Sequence, residues 1–151
     1  MVEIGGIDEM MEQKEDVSPE GQKEEIALVK KRQPFHYWNV NGKEYKLKLT
    51  TAMISMLENK YRTNILNLVS DSGIPPLSVM LTIIQAAMAP WEHGRTYSKV
   101  QNMYDAWCEQ GGNQMDFFTG ILMPTMAVSG FFTEKQAESL MKDLKNMDEL
   151  L

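Results

Sequence analysis

A chain of 151 residues, 43% apolar and 24% charged, has the size and composition of one folded domain with tails. Its formal charge of -6, from 15 basic and 21 acidic residues, argues against a basic nucleic-acid footprint, and its single cysteine, Cys108, excludes an intrachain disulfide framework or a cysteine-rich metal site. No apolar run reaches bilayer length and no basic stretch followed by an apolar core opens the chain, so the expected setting is reduced, cytoplasmic and without a signal peptide or membrane span.

Residues 1–32 are rich in acids, from Glu3 to Glu25, and lack aromatics. They carry too little apolar area to fold alone and are expected to be an acidic, disordered tail or a segment that orders on a partner. Within them a short helix over Glu24–Lys31 would place Ile26 and Val29 on one side. Residues 33–151 are expected to form a single helical domain.

That domain opens with a β-hairpin over Phe35–Leu49. Its arms are Phe35–Val40 and Lys43–Leu49, and Asn41-Gly42 between them tolerates positive φ at both turn positions. Tyr45, Leu47 and Leu49 alternate with Lys46 and Lys48, the period of a strand covered on one side. A helix follows from Thr51 to Tyr61, capped by Thr50 or Thr51, and a shorter one from Asn64, closed by Asp71-Ser72-Gly73. Pro76 suits the first position of the next helix, Leu77–Ala89, which is apolar almost all round and belongs at the centre.

Ser98-Lys99-Val100-Gln101 reads as a capping box opening a helix that Gly111-Gly112 stops. Asp116–Ser129 is helical, with Pro124 expected to kink or split it. A second capping box, Thr133–Gln136, starts a last amphipathic helix over 133–151. Ala137, Leu140, Met141, Leu144 and Met147 share one side of it, extended by Leu151. The fold class is therefore mainly α (α+β): a compact bundle of five or six short helices with an N-terminal hairpin.

Chemistry is hard to find in the residues. His36 and His93 stand far apart, and Trp91-Glu92-His93-Gly94 lacks the second histidine of a zinc helix. Cys108 reads as a buried thiol rather than a nucleophile. The spacing of Glu58, Asp105, Glu109 and Asp116 makes no paired-carboxylate site, and the glycines form no phosphate loop. No catalytic, cofactor-binding or metal-ligating residue is expected. Methionine stands out, at 13 residues. Flexible thioethers fill irregular cores, and they also make adaptable surfaces that grip apolar segments of other proteins.

Three stretches carry a resemblance. They are Tyr45–Thr51 with Ile54, Leu57-Glu58-Asn59-Lys60 and Asn64-Ile65; the helix after Pro76; and Gly130-Phe131-Phe132 leading into the last helix. Together they resemble the small tail assembly chaperones of long-tailed bacteriophages and related prophages of Gram-positive bacteria. The resemblance implies a non-enzymatic protein of the host cytoplasm that binds the tape measure protein and helps recruit tail tube subunits. It also implies absence from the finished tail. The expected contacts are Phe131, Phe132, Met141, Leu144 and Met147, which serve equally well as core. Self-association through the hairpin edges or the last helix is a further expectation. The alternative is a structural virion component, such as a small connector or completion protein.

Overall fold

A computed structural model describes residues 5–8, 33–70 and 73–150. The helix expected at Glu24–Lys31, the Asp71-Ser72 pair, the side chain of Met147 and Leu151 lie outside the described residues. The hairpin pairs β1 (His36–Val40) with β2 (Lys43–Leu47), with Trp38 opposite Tyr45 and His36 opposite Leu47. Asn41 (φ 54°) and Gly42 (φ 84°) both take the left-handed conformation, as a tight two-residue turn demands. Trp38, Val40, Leu47 and Leu49 point into the core while Tyr37, Asn39 and Lys46 stay exposed, so alternation sets the buried face.

Six helices follow. Thr50 caps α1 (Thr51–Tyr61) by accepting from the Met53 amide, and Asn64 caps α2 (Ile65–Ser70) by accepting from the Asn67 amide. Pro76 sits at the cap of α3 (Leu77–Met88), one position before the expected one. Every residue of α3 from Met80 onward is buried, so this helix is the axis of the core. The Ala87 carbonyl accepts the Lys48 amide at 3.0 Å, holding the end of the hairpin against α3. The alanine's lack of bulk permits that approach.

The helix expected to open at a Ser98 box instead opens two residues earlier. Thr96, in extended conformation, accepts from the Lys99 amide and caps α4 (Tyr97–Glu109). Asn113 caps α5, which runs over residues 114–128 in three parts: an α-turn (Gln114–Phe117), a π segment (Phe118–Leu122) and a second α piece (Met123–Val128). Pro124 thus divides the helix, as expected, through a wider turn in which the Met123 amide reaches back to the Phe118 carbonyl. The expected box at Thr133 forms: the Gln136 amide donates to Thr133 Oγ1 and the Thr133 amide to Gln136 Oε1, opening α6 (Glu134–Leu150).

Trp38, Tyr104, Trp107 and Phe117 meet edge to face at centroid distances of 5.1–6.2 Å, locking hairpin, α4 and α5 together. Met56, Met80, Met88, Met103 and Met126 are buried, whereas Met115 and Met141 are exposed. With Met53 and Met123 packed against that core, most methionines among the described residues fill the space between irregularly crossing helices.

One stretch departs from the acidic-tail expectation. Ile7 is 2% exposed and belongs to the core, and its neighbours Gly5 and Gly6 are buried with it. The Gly6 amide donates to Thr82 Oγ1 at 2.9 Å and the Ile7 amide to Gln85 Oε1 at 3.1 Å. Gln85 Nε2 in turn donates to Asp8 Oδ1 and to the Arg95 carbonyl. Two polar residues inside the apolar α3 thus have a reason: they supply hydrogen bonds to a backbone segment outside any helix or sheet. Gly6 is required here twice over, since it sits at φ 84° and a Cβ would stand 2.6 Å from Tyr97 Cβ.

Candidate functional site

Between α5 and α6 lies a groove of about 360 Å3. Pro124, Ala127 and Val128 form the α5 wall, Glu134, Ala137, Glu138 and Met141 the α6 wall, and Gln33, Phe35 and His36 the third side. The lining is mostly apolar, and its acids lie on one helix at positions 134 and 138, one turn apart. Phe35 contacts Trp91 edge to face at 4.9 Å, with Lys46 Nζ 5.0 Å from its ring centroid. The groove thus has a cation beyond its Phe35 side and two carboxylates on the opposite wall.

Pro124 explains why His36 is fixed in this wall. A proline has no amide to give to the carbonyl four residues back, which is Gly120. The His36 ring supplies the missing donor, with Nε2 2.8 Å from the Gly120 oxygen. The carbonyl can only accept, so the proton is on Nε2. Burial lowers the His36 pKa, and the hydrogen bond to Gly120 partly offsets this. The neutral ring, donating to a carbonyl, ties the start of β1 to the π turn and so sets the width of the groove at that end.

The residues expected to contact a partner are divided by the fold. Met141 is 41% exposed and lines the groove. Leu144, one turn on, is buried, and Phe131 and Phe132 are half-buried against the core. The Phe131 amide donates to the Met126 carbonyl, so this turn closes the end of α5. On α6, Ala137 and Leu140 are half-buried, so the helix's apolar side is only partly covered by the rest of the chain. Phe35, His36, Pro124, Ala127 and Val128 were missed as site residues, because they come from two elements far apart in sequence. The single local signal was Pro124, a proline in a helix with an aromatic-rich strand available to cover it.

Among the described residues no group of three His, Cys, Asp or Glu side chains could hold a metal ion. Cys108 is a free, half-buried thiol beside Tyr104, whose hydroxyl pKa is raised by burial and then by that thiol. Among the described residues no helix is long and apolar enough to cross a membrane.

Residues 36–150 match a family described as a family of unknown function (DUF6096). No curated protein and no solved structure matches the chain.

Proposed function

The chain belongs to this DUF6096 family, and we propose that it is a tail assembly chaperone, a non-enzymatic protein of the host cytoplasm. Its client is the tape measure protein, around which it helps recruit tail tube subunits. The observation that supports this reading is the groove beside α6, where an amphipathic helix keeps part of its apolar side uncovered. From Glu134 to Met141 the wall rises about 10 Å, two turns of helix. That length accepts two or three apolar side chains of a client helix at three-and-four spacing. Glu134 and Glu138 favour basic flanks on such a segment, and Lys46 beyond Phe35 favours acidic ones on its other side. A client that is mostly long helix offers many such stretches, and covering them keeps it from self-associating.

The test is co-expression with the tail proteins of a long-tailed phage, followed by affinity capture of wild-type protein and a Met141→Glu variant. Wild type retains the tape measure protein. The variant loses the contact of one methionine and sets a carboxylate against an apolar segment, which weakens capture roughly ten- to hundredfold. Its melting curve stays unchanged, because Met141 is exposed in the free protein. Equal capture by both proteins would remove the groove from the mechanism. Wild-type protein that ignores tail proteins, or that remains in purified particles, would overturn the chaperone reading in favour of no tail role or of a virion component.

A further inference from the structure

At the turn end of the hairpin, β1 and β2 meet α4 across a second cavity of about 350 Å3. Lys43, Arg95 and Lys99 line it, with the amides of Asn41 and Asn102. Among the described residues no carboxylate lines it, and none is seen in an ion pair with any of the three cations. Lys43 Nζ stands 4.9 Å and Arg95 Cζ 5.0 Å from the centroid of one ring, that of Tyr45, so both charges are held at this side chain. Arg95 Nε is buried and has no hydrogen-bond acceptor among the described residues. Its backbone is held in place, since its carbonyl accepts from Gln85 Nε2.

In a chain of net charge -6, exposed Lys43 and Lys99 and half-buried Arg95 gather positive charge around a cavity with no carboxylate in its described lining, and such a patch attracts an anion. The geometry points to a binding site for a phosphate-bearing small molecule. One phosphate group brings close to two negative charges and several acceptor oxygens in a compact volume, matching three cations and two amides. A single carboxylate would leave most of that charge uncompensated. Met103 and Ala106 give the cavity an apolar wall for an organic remainder, and its volume is that of an ordinary small-ligand site. The residues come from β2, the loop before α4 and α4 itself, so no short motif announces the site. It is separate from the groove and does not depend on the chaperone reading.

The experiment is calorimetric and NMR titration of the full chain, at low salt, with inorganic phosphate, pyrophosphate and adenosine monophosphate. Saturable binding of at least one, weakening as salt is raised, is the expected result. Preference for the nucleotide over both inorganic ions would assign the organic part to the Met103 wall; preference for an inorganic ion would assign the site to the phosphate group alone. Arg95→Gln and Lys99→Gln each weaken binding about tenfold or more, the loss of one charge-assisted hydrogen bond. Lys46→Gln, outside the cavity, leaves it unchanged. Lys99 is exposed, so its variant keeps the fold even if the Arg95 variant does not. Absence of saturation by about 10 mM, or equal binding by the Lys99 and Lys46 variants, would overturn the site.

Discussion

The link between His36 and Pro124 allows a quantitative check on how the groove wall is built. Replacing His36 with Ala removes the donor to the Gly120 carbonyl. A buried carbonyl left without a partner costs about 1–3 kcal/mol, but Gly120 is exposed and water can reach its carbonyl, so the expected loss is at the lower end, about 1 kcal/mol, besides the loss of ring packing. Pro124→Ala restores an amide four residues after Gly120, in register to bond the same carbonyl once the π turn tightens. In that background the His36→Ala change costs about 1 kcal/mol less, because the carbonyl has a second donor, while the packing loss cancels from the comparison. Denaturant melts of the four proteins at pH 8 measure the cycle, and each 1 kcal/mol also moves the thermal midpoint by about 2–4 °C for a chain of this size. If the His36→Ala cost is the same in both backgrounds to within about 0.3 kcal/mol, the ring does not stand in for the proline's missing amide, and the account of the wall is wrong.

Two further outcomes follow from the buried polar contacts. Gln85→Ala strips the Ile7 amide and the Arg95 carbonyl of their partner, so stability falls by about 2–4 kcal/mol and the Ile7 amide exchanges with solvent much faster; a loss under about 1 kcal/mol contradicts the clamp. Burial lowers the His36 pKa, so below the unfolded value of 6.5 the unfolded chain binds a proton that the folded chain resists. This contribution is complete above that value and is lost as pH falls toward the folded pKa. Thermal midpoints at pH 7.5 and 5.5 show a drop in wild type that is smaller in His36→Ala, and equal drops would rule out His36 as its source.

Much of the fold could be read along the chain because local signals agreed there. Asn41-Gly42 between two alternating arms left one hairpin register, and Thr133 with Gln136 fixed the start of α6. The α4 cap was misplaced by two residues because Thr96 and Ser98 offer the same hydroxyl. What selects Thr96 is tertiary: Asp8 Oδ1 accepts from the Tyr97 amide, which places that residue in the first turn. The role of Gly5–Ile7 was invisible for the same reason, since its partners Thr82 and Gln85 lie more than 70 residues away. Of the expected contact residues, helical periodicity put Met141 and Leu144 on one side, yet neighbours one turn apart have opposite burial. Periodicity gives a direction, whereas the edge of a groove depends on where the next element ends. The groove and the phosphate cavity both join residues from three separate segments, which no spacing rule connects.

Gly6 and Ile7 are tied to α3 through Thr82 and Gln85, and Asp8 to the start of α4, so two helices are joined by a segment that precedes both in the chain. A few hydrogen bonds and one isoleucine are too little to retain a separate peptide, but they suffice when the chain itself supplies a millimolar local concentration. Severing the chain between Asp8 and Gln33 would therefore release the N-terminal piece by dilution, leave Thr82 and Gln85 without their backbone partners, and weaken a helix on which no cut was made.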